Sequence, residues 1–273
     1  MKKEIIKIIK RALKEDMPKG DITTDSLIPK DHQSKAKFIA KDSGIISGLE
    51  VAEEVFRQVG GDYKLVWNFK DGDFVNNKDI IGTVEGNTRT ILKAERLSLN
   101  IMQRMSGIAT NTYNFTKECV GDTKILDTRK TTPNLRILER KAVLDGKGTN
   151  HRLNLSDMVL IKDNHIDAVG SITKACLLAK KNTKDKKIEV EVETLEQFME
   201  VLDSAADIIM LDNMSNELMA ECVKLNNKKK KLEASGNMTV DRIKSVSELG
   251  VDYISVGALT YASKALDISL KFH

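Results

Sequence analysis

The sequence predicts an α/β protein, with a (β/α) barrel over residues 108–273 and a smaller α+β domain over residues 1–107. Three observations carry this. From about residue 123 onward, short apolar runs end in polar tips six times: "KILDTRK", "MVLIKDNH", "IEVEVE", "DIIMLDN", "KLEASGN" and "DYISVGA". Several of the intervening segments carry helix signals. Thr194 and Gln197 match a capping box, Ser215 precedes an apolar-periodic stretch, and Gly250 follows Leu249 as a stop. The later runs recur at roughly 20–25 residues, the length of one strand plus one helix. Strands alternating with helices imply a parallel sheet, and six successive units favour a barrel over an open sheet.

The first third of the chain reads differently. "MKKEIIKIIKRALKED" places Ile5, Ile6, Ile8, Ile9, Ala12 and Leu13 on one helical face, as expected of a helix packed on its own domain. "SKAKFIAKDSGIISGLE" alternates like a strand and then turns on glycines, and "VAEEVFRQVGG" is a short helix stopped by Gly60. "DYKLVWNFKDGDFVNNKDIIGTVEG" reads as strands joined by Asp-Gly and Asn-Asn turns. Residues 90–106, "TILKAERLSLNIMQRMS", form a long apolar helix with Gly107 at its end, on which Arg96 and Arg104 stand out.

The totals bound the function. With 41% hydrophobic and 31% charged residues in 273, the chain has a globular balance. Lys+Arg 44 against Asp+Glu 40 gives a net charge of +4, which admits an anionic ligand without requiring nucleic acid. Aromatics are 4%, too few for single-strand stacking platforms. The Lys228–Lys231 run and the lysines from Lys180 to Lys187 read as solvated surface. Cys119, Cys176 and Cys222 are far apart and unpaired in spacing, which suits a reducing cytoplasm and gives no zinc pattern. No apolar run approaches a membrane span, and the charged N-terminus has no signal-peptide core.

In a β/α barrel the chemistry lies at the carboxyl ends of the strands. Read there, the six runs supply Asp127-Thr128-Arg129-Lys130, Lys162-Asp163-Asn164-His165, Glu191 with Glu193, Asp212-Asn213, Ser235-Gly236-Asn237 and Val256-Gly257-Ala258. His151 and Arg152 follow in the loop "GKGTNHR". So many cations in one mouth repel each other unless an anion neutralises them, and arginine matches carboxylates and phosphates in two-point fashion. Glycine-bearing tips on the last two strands let backbone N–H groups approach an oxyanion. Glu191 and Asp212 either pair with the cations or hold sugar hydroxyls and a phosphate-bridging metal. Glu189, Glu191 and Glu193 fall on one face by period-two geometry, which packing alone does not explain. His151 and His165 form no metal pair by spacing, so a hydrogen-bonding or orienting role is expected of each.

The motifs "DTRKTTPNLR", "NHRLNLSDMVLIKDNHI", "EVEVETLEQ", "IIMLDNM", "LEASGN" and "GVDYISVGALT", in that order over roughly residues 90–270, closely resemble the quinolinate phosphoribosyltransferases, also called carboxylating nicotinate-nucleotide pyrophosphorylases. The resemblance implies the open (β/α) barrel of a type II phosphoribosyltransferase with an N-terminal α/β sandwich domain, assembled as a homodimer or higher homo-oligomer. It implies conversion of quinolinate and 5-phosphoribosyl 1-pyrophosphate, with Mg2+, to nicotinate mononucleotide, pyrophosphate and CO2 in NAD biosynthesis. Carried over, Arg129, Lys130, Arg152 and Lys162, helped by Thr128 and His151, grip carboxylates and phosphate oxygens. Arg96 enters the neighbouring subunit's site, and Glu191 and Asp212 face the ribose and, through the substrate, the metal. Ser235, Gly236 and Asn237, with Val256, Gly257 and Ala258, cradle the 5-phosphate. Lys130, Lys162, Glu191 and Asp212 form the catalytic set.

Two departures lie outside these groups: Asn134 stands where the family often has glycine, and Gly146-Lys147-Gly148 replaces a common glycine run. The alternatives are a related phosphoribosyltransferase acting on another acceptor, among them nicotinate phosphoribosyltransferases and molybdenum-transport-associated paralogues, or a non-catalytic binder of phosphorylated metabolites. A cytoplasmic location and no nucleic-acid or membrane partner complete the expectation.

Overall fold

The computed structural model describes residues 2–183 and 185–273. The chain forms two compact units, each built from separate segments. One comprises Met1–Tyr113, Thr131–Lys147 and Leu259–His273, and the other Asn114–Lys130 and Gly148–Ala258.

The elements follow in order. The first stretch holds α1 (Lys2–Asp16), α2 (Ile22–Leu27), β1 (Gln33–Ala40), β2 (Gly44–Ile45), α3 (Leu49–Val59), β3 (Tyr63–Trp67), β4 (Phe74–Val75), β5 (Ile80–Asn87) and α4 (Thr88–Thr116). Then come β6 (Lys124–Leu126), α5 (Arg136–Asp145), β7 (Val159–Ile161), α6 (Asp163–Val169), α7 (Ile172–Thr183), β8 (Ile188–Val192) and α8 (Leu195–Leu202). The chain ends with β9 (Ile208–Asp212), α9 (Asn216–Asn226), β10 (Lys231–Ser235), α10 (Val240–Ser247), β11 (Tyr253–Ser255), α11 (Ala258–Tyr261) and β12 (Ile268–Phe272).

In the first unit, β12-β1-β5-β3 make an antiparallel sheet, with β2 and β4 as a separate pair. The alternation read in β1 appears as burial of Ala36, Phe38 and Ala40. Phe38 meets Phe56 of α3 edge-on, with ring centroids 6.4 Å apart, and lies 5.0 Å from the Trp67 ring of β3. α1 packs on α3 and α5 and buries Ile9 completely. The last strand, β12, pairs with the first, so the C-terminus belongs to this sheet and not to the barrel. Nothing in the five residues "ISLKF" names that partner, because pairing between chain ends carries no local signal.

Gly107 is a correction. The sequence suggested a helix stop there, yet α4 runs through it to Thr116. The glycine serves a close approach instead: a Cβ at this position would fall 1.9 Å from the Lys264 carbonyl oxygen. Lys141, in the same unit, joins Asp71 at 2.7 Å and Asp145 at 2.9 Å, and Asp71 accepts the Leu49 amide at the start of α3.

The second unit is a parallel six-stranded sheet in the order β6-β11-β10-β9-β8-β7. The six apolar runs are these six strands. β6 and β7 are its edges and do not pair with each other, so the barrel is open. Ile188, Val190 and Val192 on β8, and Ile209 and Leu211 on β9, are fully buried, while Glu189, Glu191 and Asp212 occupy the alternate positions. The Thr194–Gln197 capping box and the Ser215 cap are present as read. Among the described residues, no helix is long and apolar enough to cross a membrane.

Gly107→Ala gains about 1 kcal/mol of helix propensity but drives its methyl into backbone. The expected outcome is a net loss of about 2 kcal/mol or more, seen as a lower urea midpoint. An unchanged or higher midpoint would show that the 264–265 segment yields freely.

Candidate active site

Parallel pairing puts the carboxyl ends of all six strands on one edge of the sheet, and the polar tips come with them. Asp212 and Ser235 are in direct register. On β8, Glu191 pairs with Met210, two residues before Asp212. The Lys162 ammonium, one residue past β7, forms an ion pair with the Glu191 carboxylate. The Lys162 amide donates to His165 Nδ1 at 2.9 Å, so His165 takes the orienting role expected of it, as a brace at the start of α6. Glu193 departs from the expected face. β8 ends at Val192, and the Glu193 amide is taken up by Gln197 Oε1 at 2.8 Å, leaving its side chain exposed.

The turns after β9 and β10 interlock. Asn213 and Asn237 adopt left-handed backbone (φ 53° and 45°), as does Gly236 (φ 91°). The Asn213 amide donates to the Ser235 carbonyl at 3.0 Å, and Asn237 Nδ2 to Asn213 Oδ1 at 3.2 Å. A Cβ on Gly236 would lie 2.2 Å from Asn213 Oδ1, so only glycine fits. Arg242 of α10 clamps both turns, donating to the Gly236 carbonyl at 3.2 Å and the Met214 carbonyl at 2.8 Å. Sequence reading passed over Arg242 because an arginine in a helix carries no motif. After β11, the Val256 amide donates to the Leu126 carbonyl at 3.0 Å, and Gly257 and Ala258 follow half-buried.

Past β6, Asp127 is wholly buried and accepts the His151 amide at 2.7 Å. The Lys130 amide donates to Thr128 Oγ1 at 3.1 Å, with Arg129 and Lys130 exposed. Arg152 is half-buried and donates to the Met158 carbonyl at 3.2 Å. Burial, then the charge of Arg129, hold its guanidinium below the usual arginine range, with Glu189 and Glu191 opposing. Two arginines that disfavour each other's charge make a site that an anion relieves. Arg96 stands exposed on α4, in the other unit.

Beneath these tips lies a cluster that the sequence showed only in part. His151 Nε2 sits 3.0 Å from Glu189 Oε2 and 3.3 Å from Glu233 Oε2, with both carboxylates almost wholly buried. Burial lowers the His151 pKa and the two carboxylates raise it. Burial and then Glu233 raise Glu189. The Arg152 amide decides where the proton goes. It donates to His151 Nδ1 at 2.7 Å, and an imidazolium has no lone pair there to accept it. With that bond made, the ring is the neutral Nε2–H tautomer. Glu233 was legible in principle: it stands two residues before Ser235, on the same face of β10.

The cysteines take no part in this edge. Burial pushes the Cys119 and Cys222 thiols up to about 11 and raises Cys176 as well. At pH 8 a thiol near 11 has roughly 100-fold less thiolate than an unperturbed one. Alkylation of the folded protein by iodoacetamide at pH 8 should be slower than that of free cysteine by about that factor. Rapid labelling of any one thiol would restore it as a candidate nucleophile.

The chain matches the family model for the C-terminal domain of quinolinate phosphoribosyl transferase over residues 108–271, and that for its N-terminal domain over residues 21–106. It is 44% identical to quinolinate phosphoribosyltransferase [decarboxylating] 2b, mitochondrial, of Nicotiana tabacum, over 98% of this chain and 82% of the relative. It is 40% identical to a probable nicotinate-nucleotide pyrophosphorylase [carboxylating] of Bacillus subtilis, over 98% of this chain and 93% of that protein. The crystal structure of NadC from Streptococcus pyogenes superposes with a TM-score of 0.96 at 38% identity, covering 100% of this chain and 98% of that one.

Proposed function

The chain belongs to the quinolinate phosphoribosyltransferase family, and from that premise we propose that it joins quinolinate to 5-phosphoribosyl 1-pyrophosphate, releasing pyrophosphate and CO2 and yielding nicotinate mononucleotide for NAD synthesis. The observation that carries the reading is the meeting of cations with two acids at one edge of the parallel sheet. Lys162 pairs with Glu191, and Arg152 feels the charges of Arg129 and Glu191, which supports assigning Thr128, Arg129, Lys130, Arg152 and Lys162 to a dianion with Glu191 and Asp212 beside it. A substrate with two carboxylates accounts for more cations than a monocarboxylate needs.

The chemistry follows from this arrangement. The pyridine nitrogen attacks C1 of the ribose as the bond to pyrophosphate breaks, through an oxocarbenium-like state whose positive charge Glu191 and Asp212 favour. Lys130 and Lys162 offset the negative charge gathering on the leaving group and hold the pyridine carboxylates. Once alkylated, the ring nitrogen is cationic and accepts the electron pair left at C2 when CO2 departs. A proton then takes that position. Catalysis rests on positioning and on fixed charge, and no covalent bond to the protein is required. The interlocked turns of Gly236, Asn237, Asn213 and Arg242, with the backbone at Val256, Gly257 and Ala258, suit the 5-phosphate.

Glu191 and Asp212 fit the magnesium that the family implies. They offer hard oxygen donors at the ends of neighbouring strands, and Mg2+ is held by one or two carboxylates together with substrate phosphates. Bound there through the substrate, the ion would neutralise the departing pyrophosphate. We further propose a homodimer or higher homo-oligomer, in which exposed Arg96 reaches the site of the neighbouring subunit.

Parallel assays with Mg2+ and phosphoribosyl pyrophosphate, one with quinolinate and one with nicotinate, test the reaction. The expected result is mononucleotide from quinolinate alone with an equal amount of CO2. Product from nicotinate alone would keep the ribosyl transfer and remove the decarboxylation. No product from either, with phosphoribosyl pyrophosphate still bound, would leave a binder. Within the site, Arg129→Ala or Arg152→Ala should cost about 2–5 kcal/mol of quinolinate binding. Gly236→Ala should raise the KM for phosphoribosyl pyrophosphate and leave quinolinate affinity nearly unchanged. The opposite pattern in titration calorimetry would reverse the assignment of the two subsites.

A further inference from the structure

The reaction described above has no use for Glu189 and Glu233, and burying two carboxylates side by side is costly. They lie one inward step below Glu191 and Ser235 on the same strands. A cavity of about 440 Å3 reaches His151 and Glu233 past Lys187, Ile208 and Tyr253. Ile208 and Tyr253 begin β9 and β11, and Arg152 lines the same cavity, so it runs from the amino ends of these strands to the arginine itself.

Three roles fit such a cluster at first sight. The ligand atoms of His151, Glu189 and Glu233 lie within 4.8 Å of one another, as a divalent cation would need. A histidine that binds metal through Nε2, however, keeps its proton on Nδ1 and donates it to an outer partner. Here Nδ1 accepts the Arg152 amide at 2.7 Å, the opposite polarity. Direct contact of the ring with substrate fits no better. The His151 side chain is 8% exposed, its Nε2 is turned onto the two glutamates and its Nδ1 is taken by the backbone. The third role uses all of these contacts. Asp127 fixes the His151 amide at 2.7 Å, the glutamates of β8 and β10 fix the ring, and the ring fixes the next amide.

We propose that His151, Glu189 and Glu233 form a positioning unit in which the ring, its Nε2 set 3.0 and 3.3 Å from carboxylates on two strands of the barrel, sets through Nδ1 the backbone from which Arg152 reaches the anion. The proposal rests on the reading of that mouth as the quinolinate site. It makes His151 a residue that acts through Arg152, in place of the substrate contact implied by the family resemblance. It also gives the edge strand β6 a tie to the sheet interior, since Asp127, one residue past β6, holds the same histidine.

Three variants separate the roles. His151→Phe keeps a ring and removes the acceptor for the Arg152 amide. His151→Asn restores an acceptor beside the next amide, in the manner of Asp163, whose Oδ1 accepts the Asn164 amide at 2.7 Å. Glu233→Gln removes a buried acid 3.3 Å from Nε2, so it remains informative if the phenylalanine variant folds poorly. The expected result for His151→Phe is a KM for quinolinate raised by about 10- to 100-fold, with kcat and the KM for phosphoribosyl pyrophosphate within about threefold. Hydrogen exchange at the Arg152 amide should quicken in the same variant. His151→Asn should recover most of both effects, and Glu233→Gln should show the same two effects more weakly. An asparagine variant as impaired as phenylalanine, with the Arg152 amide still protected, would return the ring to the substrate and overturn the proposal. Stoichiometric metal in the parent protein, lost in Glu233→Gln, would also overturn it. If the parent does not turn over quinolinate, the functional reading falls. Protection of the Arg152 amide, which needs no activity, still decides the positioning role.

Discussion

The approach of His151 Nε2 to two carboxylates in the dry interior of the barrel, 3.0 Å from Glu189 and 3.3 Å from Glu233, is the constraint on which the rest depends, because buried charge is costly unless it is compensated. Much of the second unit is arranged around it. An eight-stranded barrel fills its interior with apolar layers and closes by strand pairing. This sheet stops at six strands, and a loop histidine comes within 3.0 Å of Glu189 on β8 and 3.3 Å of Glu233 on β10. Polar groups thus take the place of an apolar layer in the middle of the barrel. They bring direction: a packed leucine fills space, whereas the imidazole accepts the Arg152 amide and Asp127 accepts that of His151.

Above this layer the constraint changes sign. Arg129 is near enough to Arg152 to disfavour its charge, and Lys162 pairs with Glu191 at the same edge. Charge fixed in place before a ligand arrives is the condition under which it accelerates a reaction. In the proposed reaction Glu191 and Asp212 favour the positive charge that develops, and the turns after β9 and β10 are locked by hydrogen bonds of their own.

How much of this could be read in the sequence depended on how local each signal was. All six strands were legible, because an apolar run with a polar tip is a property of a few adjacent residues. The Thr194 and Ser215 caps were legible for the same reason. Gly107 misled, because a glycine tells of missing bulk without saying whether a turn or a neighbouring backbone needs the space. β12 was silent about its partner at the other end of the chain. His151 read as a lone histidine because its two acids lie on different strands, 38 and 82 residues onward. Arg242 was invisible, since a clamp on two carbonyls is defined by geometry and not by residue type. The elements themselves announce their positions. The contacts that align them do not.

The central claim is that the ring of His151 is neutral and carries its proton on Nε2. Nitrogen-15 NMR of histidine-labelled protein reads this directly. The chain has four histidines, and the His151 signals are those lost in His151→Asn. The account requires one protonated nitrogen, Nε2, with an unprotonated Nδ1, at neutral pH. A doubly protonated ring, or a proton on Nδ1, would contradict it and would remove the bond by which the barrel interior positions Arg152.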